Sequence, residues 1–253
     1  MIVFHYDKTF EGLLTAIFDA YNRNTFPAKL LATDEIEPLF VEENHTVITD
    51  TEKSSRVWKG LEKRTMPVTR SMLSYVWLSE IQGCDEMIFR YIRKVLDSKT
   101  SIEMNFADED LLQVRNIAQK VNRERLRLIQ FVRFQKTADN IFFAPVSPDY
   151  NALPLAISHF TDRFAEQKWI IYDTKRNYGY FYNLKDVIEI TLNDMNLFPE
   201  GKINEALLAP NEKIFQKMWK AYFKSMAIKE RINPKLHRQN LPRKYWKYLT
   251  EKQ

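Results

Sequence analysis

The sequence predicts an α+β fold built on an antiparallel sheet near the middle of the chain, at about residues 128–182. Two short runs rich in β-branched and aromatic residues come first, a helical pattern follows, and two further runs of the same kind complete the region. Side chains of these types favour strands. A helix between two strand pairs indicates a sheet with a helix on one face, and helical patterns before and after this region supply the remaining packing.

The spacing of apolar residues defines each central element. The predicted strands are Ile129–Gln135, Ile141–Val146, Lys168–Asp173 and Tyr178–Tyr182. Between the two pairs, from Asn151 to Glu166, apolar residues recur three and four positions apart, as on one face of a helix. Pro154 is compatible with that helix only in its first turn, where its missing N–H costs no helical hydrogen bond.

The remaining elements are mostly helices. The predicted helices run from Phe10 to near Asn24, over Thr51–Lys63, from Pro67 onward, over Asp85–Ser98, over Leu111–Asn122 behind an Asp108 cap, and over Asn211–Lys229. Further strands are predicted at Ile2–Tyr6, Pro38–Val41, Thr46–Thr49 and Val187–Ile190, and residues 193–210 are predicted to be irregular. The length fits a single unit, residues 1–253, with subregions 1–125, 126–192 and 193–253.

Composition excludes several classes of site. A lone cysteine, Cys84, excludes an internal disulfide framework and a multi-cysteine metal site, and it suits a reducing cytoplasm. No apolar run approaches the roughly 18 residues of a membrane span, and the first residues lack a signal-peptide pattern. No GxGxxG or GxxxxGK motif is present, and no pattern supports a metal. We therefore expect a cytoplasmic protein with no membrane partner, no cofactor and no metal.

Positive charge is concentrated at the C-terminal end. Residues Asn211–Gln253 hold 12 lysines and arginines against three acidic residues, a local charge of +9, whereas the whole chain carries only +5. The other residues together are therefore acidic. Such an asymmetry indicates binding to nucleic acid or to another polyanion.

Three long stretches of the sequence resemble a known family. They are RFQKTADNIFFAPVSP, HFTDRFAEQKWIIYDTKRNYGYFY and IKERINPKLHRQNLPRKYWKYLTE, and the start, YDKTFEGLLTAIFDAY, is similar as well. The chain resembles a bacterial family described as probable DNA metabolism proteins, whose domain of unknown function has no assigned activity. The resemblance implies a gene beside a radical S-adenosylmethionine (radical SAM) protein thought to act in DNA repair or modification. In some relatives a similar domain is fused to a uracil-DNA glycosylase, an extension not expected here.

Two residues are candidates for catalysis. His159 and Asp173 are an acid and a base suited to base excision or phosphodiester hydrolysis, provided that they share one pocket. His159 also lies four residues before Arg163 at the border of the central helix, where the two side chains suit a phosphate or base contact. The alternative is that both are ordinary boundary residues, hydrogen-bonded or paired to an acid.

The second central strand pair carries a cluster of aromatic and charged residues. One hypothesis is a base-stacking surface in which Trp169, Tyr172 and Tyr178 hold bases while Arg176 holds phosphate. The alternative is a sheet core with an Asp173–Arg176 bridge across the turn, because aromatic residues in strands are usually buried.

The basic tail holds the strongest nucleic-acid candidates. They are Arg231, Lys235, Arg238, Arg243, Lys244 and Trp246. Guanidinium groups suit bidentate phosphate contacts, and aromatic rings stack on bases. The alternative is that the aromatic residues bury themselves to anchor the C-terminus. A second basic group, Lys213, Lys217, Lys220 and Lys224, is interpreted as the solvated face of the last long helix.

These observations support three functional hypotheses. The first is a DNA-binding or accessory protein of repair or modification that acts with a radical SAM partner. The second is an enzyme acting on DNA, with a glycosylase- or nuclease-like activity that uses His159 and Asp173. The third is a protein-interaction scaffold whose basic tail binds an acidic partner.

Overall fold

The chain forms two compact units, Met1–Asn122 and Arg123–Gln253. The structure is a computed structural model and describes residues 1–105, 107–192 and 204–252. The division lies close to the boundary between the first two predicted subregions. The expectation of a single unit stays a prediction.

The first unit contains a three-stranded parallel sheet in the order β2-β1-β3. Its strands are β1 (Ile2–Tyr6), β2 (Lys29–Ala32) and β3 (Glu43–Thr46). In the central strand, Phe4 pairs with Leu30 on one side and with His45 on the other. All of β1 beyond its first residue is buried, as expected for a parallel strand with both faces covered.

Five helices accompany this sheet in the described part of the sequence. They are α1 (Phe10–Arg23), α2 (Thr51–Glu62), α3 (Pro67–Trp77), α4 (Cys84–Asp97) and α5 (Glu109–Phe131), the last of which contains the boundary between the units. The side chains of Thr9, Asp50 and Asp108 accept backbone hydrogen bonds at the starts of α1, α2 and α5. Such caps satisfy N–H groups that have no partner within the helix. The predicted cap at Asp108 is therefore confirmed.

Two strand predictions in this unit are wrong. Pro38–Val41 is not a strand, and the predicted strand Thr46–Thr49 shares only Thr46 with the observed β3, which covers Glu43–Thr46. β3 is a polar strand, so it lacks the apolar alternation on which strand prediction depends. The sequence does not predict β2 for a related reason, since its apolar run is only three residues long.

The second unit contains a five-stranded sheet in the order β4-β5-β6-β7-β8. The strands are β4 (Gln135–Lys136), β5 (Phe142–Val146), β6 (Trp169–Asp173), β7 (Tyr178–Tyr182) and β8 (Val187–Ile190). The α+β class is confirmed, but the sheet is mixed rather than antiparallel because β5 and β6 run parallel. A helical crossover joins these two strands, and such a connection returns the chain to the same end of the sheet.

The first predicted central strand, Ile129–Gln135, is wrong over most of its length. Helix α5 continues to Phe131, and β4 begins only at Gln135. Val121 and Leu128 are both buried and lie two helical turns apart. The helical period therefore continues through residues whose composition alone favours a strand.

The crossover helix is shorter than predicted. A 3₁₀ turn at Pro154–Ala156 leads into α6 (Ile157–Arg163), and the proline takes the first position as expected. On α6, Phe160 packs edge-on against Phe134 and Trp169. These aromatic contacts hold the helix against one face of the sheet.

The C-terminal part is helical. It contains α7 (Glu212–Met226), α8 (Pro234–Asn240) and 3₁₀ turns at Glu205–Leu207, Lys229–Arg231, Arg243–Tyr248 and Thr250–Lys252. The predicted long helix is confirmed, and the predicted irregular segment 193–210 lies largely outside the described residues. Within the described ranges, no helix is both long and apolar enough to cross a membrane.

Candidate functional site

A polar network lies where the parallel strands β5 and β6 end. The loop after β5 contains Pro148 and Asp149, and β6 ends at Asp173, directly before the turn of residues 174–177. The Arg176 guanidinium joins the two loops by donating hydrogen bonds to the carbonyl oxygens of Pro148 and Asp149, both at 3.2 Å. The carboxyl ends of parallel strands are frequent locations of binding sites, so this edge is a natural candidate.

Asp173 is fully buried and forms an ion pair at the centre of this network. Its Oδ2 accepts a hydrogen bond from Arg176 Nη1 at 2.9 Å, and its Oδ1 accepts one from the backbone N–H of Lys175 at 2.9 Å. Both carboxylate oxygens are therefore in use. This is the bridge across the turn that the sequence offered as an alternative, and its evident role is to fix the turn and orient Arg176.

Lys244 adds a second ion-pair cluster to the same unit. Its Nζ lies 2.6 Å from an oxygen of Glu124 and 2.5 Å from an oxygen of Asp149. Glu124 is only 1% exposed and also accepts a hydrogen bond from the Asp149 backbone N–H at 2.8 Å. Lys244 thus ties the C-terminal segment to α5 and to the loop after β5.

Tyr178 completes the group of predicted residues that lie together. Its hydroxyl donates to the side-chain oxygen of Asn151. Burial, and then the neighbouring Tyr180 and Asp173, raise the pKa of the Tyr178 hydroxyl. Of the residues singled out from the sequence, the structure therefore gathers Asp173, Arg176 and Tyr178, with Lys244 joined to them through Asp149.

The predicted catalytic pair is not gathered in this way. His159 and Arg163 lie on α6 and are exposed. The His159 ring contacts the edge of Phe160, with ring centroids 5.6 Å apart. Within the described residues, no hydrogen bond or ion pair joins His159 to Asp173. The catalytic assignment of these two residues stays a prediction.

Two aromatic residues of β6 belong to the core. Trp169 and Tyr172 are almost completely buried, and Trp169 stacks on Tyr182 with centroids 5.4 Å apart. A buried ring has no free face for a base. The stacking hypothesis therefore does not apply to these two side chains.

The basic residues of the C-terminal helices are in a different environment from Lys244. Seven of them, the C-terminal cations, are exposed and have no carboxylate within ion-pair distance in the part of the chain that the structure describes: Lys217, Lys220, Lys224, Arg231, Lys235, Arg238 and Arg243. Lys213 differs from the rest of its helix face, because it pairs with Glu205 at 2.7 Å.

Trp246 is anchored within the tail. Its indole N–H donates to the carbonyl oxygen of Leu241 at 3.1 Å, and its ring lies 5.7 Å from the His237 ring. The Arg243 guanidinium lies 5.8 Å from the same indole centroid. Partial burial of His237, and then the charge of Lys252, lower the pKa of its imidazole. These contacts give Trp246 a packing role in holding the last turns together.

Sequence reasoning missed a buried polar cluster in the first unit. Asp85, at the start of α4, accepts hydrogen bonds from the Tyr6 hydroxyl at 2.8 Å and from the Lys8 ammonium at 2.6 Å. Burial, and then the hydrogen bond and charge of Asp85, raise the pKa of the Glu86 carboxyl to about 7. The Glu86 carboxyl is therefore partly protonated near neutral pH, beside an Asp85 carboxylate whose pKa is lowered to about 2. Acidic residues in the first turn of a helix are common, so the sequence carries no signal for this arrangement.

The described residues offer no metal centre, because no group of three or more histidine, cysteine or acidic side chains lies close enough to hold an ion. This finding concerns only residues 1–105, 107–192 and 204–252.

Comparison with known proteins identifies a family but no activity. No curated protein matches the chain, and no solved structure matches it. The family described as a domain of unknown function, DUF4130, matches residues 82–251, which is more than half of the chain and includes the polar network and all of the C-terminal cations. The chain belongs to the DUF4130 family.

Proposed function

We propose that this protein binds nucleic acid through the C-terminal cations of its second unit. The observation that carries the proposal is that these seven lysines and arginines are exposed and lack carboxylate partners in the described residues. They follow one another along α7, the Lys229–Arg231 turn, α8 and the Arg243–Tyr248 turn.

The pairing state of a cation decides how readily it binds phosphate. A lysine in an ion pair must give up that pair before it contacts a phosphate, whereas an unpaired one gives up only water and counterions. Release of the counterions condensed on nucleic acid then favours binding. Arginine adds bidentate contacts to phosphate oxygens, and no carboxylate among the described residues competes with phosphate for Arg231, Arg238 or Arg243.

The resemblance to probable DNA metabolism proteins supports DNA as the nucleic acid. We extend the proposal accordingly to an accessory role in DNA repair or modification beside a radical SAM partner. In that role the second unit holds DNA, while the chemistry belongs to the partner. Co-purification of the two proteins, with and without DNA, tests this extension separately from nucleic-acid binding itself.

The direct test measures fluorescence anisotropy of labelled DNA against a charge-reversal variant. The change is Lys217→Glu, Lys220→Glu and Lys224→Glu together on α7, all at exposed positions. We expect affinity to fall on the order of tenfold or more at low salt, because attraction to phosphate becomes repulsion. The matched control reverses three exposed lysines of the first unit, Lys59, Lys63 and Lys99, and so makes the same change in net charge.

If both variants lose the same DNA affinity, the loss is explained by net charge alone. That result would contradict binding through a defined surface. Absence of DNA binding by the folded wild-type protein at low salt would remove the proposal altogether. The basic surface would then fit the scaffold hypothesis, with an acidic protein as its partner.

A further inference from the structure

A groove of about 810 Å³ lies in the second unit between α7 and the start of the sheet. One wall is the aromatic face of α7, with Phe215, Trp219 and Tyr222, and the other includes Arg133 and Lys136. The size is within the range of ligand pockets in proteins. These aromatic residues belong to an apolar stripe of α7, a pattern that usually packs against a core.

The three rings are exposed although they belong to an apolar stripe. Phe215 is 59% exposed, Trp219 39% and Tyr222 54%. They lie at positions i, i+4 and i+7, so they follow one another along one side of the helix. The Trp219 and Tyr222 rings are tilted by 34°, with centroids 5.7 Å apart. Monomeric proteins rarely expose a contiguous apolar surface of this kind unless it binds something.

Trp219 is held in place despite its exposure. Its indole N–H donates to Glu251 at 2.9 Å, and the same carboxylate pairs with Arg133 at 3.0 Å. The Arg133 guanidinium also lies 5.9 Å from the Trp219 ring centroid. A ring that is already oriented loses little conformational freedom when a ligand stacks on it.

The groove contains one cation, Lys136, that can contact an anionic ligand without breaking an ion pair among the described residues. Burial works to raise the pKa of Glu251, but hydrogen bonds from its own backbone and from Trp219, with the charge of Arg133, outweigh burial and hold that pKa below its usual value. Glu212 is buried and accepts a hydrogen bond from the Lys136 backbone N–H at 3.1 Å. Both carboxylates are thus engaged, whereas the Lys136 ammonium has no carboxylate partner among the described residues.

We propose that this groove binds unpaired bases of a single-stranded nucleic acid, which stack on Phe215, Trp219 and Tyr222 while Lys136 contacts the backbone. The inference rests on the proposed function and deepens it by naming the form of nucleic acid. Aromatic platforms beside a cationic groove bind single strands with little dependence on sequence, because every base has a stacking face. Bases inside a duplex have no free face, so the groove discriminates against double strands.

The test deletes the rings without changing charge. In Trp219→Ala/Tyr222→Ala, affinity for a labelled oligothymidine should fall about tenfold or more, whereas affinity for a duplex of equal length should change less than about threefold. An oligomer of the same length that lacks bases isolates the phosphates, and its affinity should be the same for wild type and variant. An oligouridine RNA of the same length shows whether the groove prefers RNA or DNA. A lower affinity of the double alanine variant for either single strand supports the proposal.

Two further variants control for folding and for nonspecific aromatic effects. Trp219→Phe/Tyr222→Phe keeps a ring at both positions and should retain most of the oligothymidine affinity. Phe40→Ala removes a ring that is 85% exposed in the first unit and should have no effect. Equal affinity of wild type and the double alanine variant for oligothymidine would overturn the inference, as would equal losses in the alanine and phenylalanine variants.

The same titrations separate the failure of this inference from the failure of the proposed function. If the wild-type protein binds no nucleic acid of any form, the proposed function fails and this inference with it. If it binds single and double strands alike, and the ring deletions leave both unchanged, the C-terminal cations still bind nucleic acid and only the stacking groove is wrong.

Discussion

Two sets of basic residues in the second unit have the same chemistry but opposite surroundings. Arg176 and Lys244 are partly buried, and each lies within 3 Å of carboxylates that fix it in place. The C-terminal cations are exposed and have no such partners in the described residues. The first set holds the unit together, and the second set is available to a ligand.

The difference shows why composition alone cannot assign a basic residue to a binding surface. From the sequence, Arg176 and Lys244 are predicted to bind phosphate just as Arg238 and Arg243 are. What separates them is the position of acidic residues distant in sequence, because Glu124 and Asp149 approach Lys244 only in the folded unit. Pairing therefore predicts which substitutions affect folding and which affect binding.

The largest effect should come from breaking the buried pair. Arg176→Ala leaves the fully buried Asp173 without its cation, which should lower the free energy of unfolding of the second unit by about 3–5 kcal/mol. Hydrogen–deuterium exchange in β6 and β7 reports this loss locally. The double change Asp173→Asn/Arg176→Ala should recover part of it, because no uncompensated charge remains. If Arg176→Ala keeps normal exchange protection but loses DNA binding, Arg176 contacts DNA and does not stabilise the unit.

A smaller effect should separate Lys244 from Arg238. Lys244→Gln removes the closest cation of the nearly buried Glu124 and should cost about 2 kcal/mol of stability, since Arg127 remains 3.5 Å away as a partial substitute. Arg238→Gln removes an exposed charge and should leave the melting temperature unchanged while weakening DNA binding. Thermal melts and anisotropy titrations on the two proteins provide the comparison. A loss of stability in Arg238→Gln would contradict it.

The smallest effect concerns the raised pKa of Glu86, next to Asp85 in the first unit. The pKa of Glu86 is raised from 4.5 to about 7 in the folded protein, so the folded state binds more protons than the unfolded state between these values. This contribution is fully present below pH 4.5 and is lost as the pH rises through about 7. Because Glu86 is only half buried, we expect about 1 kcal/mol.

Glu86→Gln should abolish this pH dependence. The glutamine amide is neutral and can donate a hydrogen bond at every pH, as a protonated glutamate does. The variant should therefore be more stable than wild type at pH 8 and differ little from it at pH 5. Asp85 titrates in a lower range, because its hydrogen bonds to Glu86, Lys8 and Tyr6 outweigh burial and lower its pKa to about 2. Thermal melts of both proteins at the two pH values measure the difference. The same difference in stability between the two proteins at both pH values would contradict the raised pKa of Glu86.

Local pattern was sufficient for much of the fold. The helices at Thr51–Glu62 and Cys84–Asp97 and the strands at Tyr178–Tyr182 and Val187–Ile190 follow from apolar spacing and turn residues within each segment. The parallel pairing of β5 with β6 does not, because it depends on where the crossover helix returns the chain. The end of α5 also differs from prediction, since tertiary burial of Leu128 outweighs the strand preference of its neighbours.

The candidate surfaces were predictable only in part. The concentration of lysine and arginine after Asn211 is visible in the sequence, and so is the aromatic stripe of α7. The sequence contains no information on which of these charges are paired or which rings stay exposed. Trp169 and Trp219 illustrate this point, because both belong to apolar patterns but one is buried and the other 39% exposed.

The salt dependence of DNA binding tests the central claim most directly. We would measure the logarithm of the association constant against the logarithm of salt concentration for wild type and for Lys217→Gln/Lys220→Gln/Lys224→Gln. Each phosphate contact contributes about 0.9 to the slope on duplex DNA, so the variant should show a slope shallower by up to about 2.7 at unchanged stability. An identical slope in the two proteins would show that these unpaired lysines do not contact phosphate and would contradict the account.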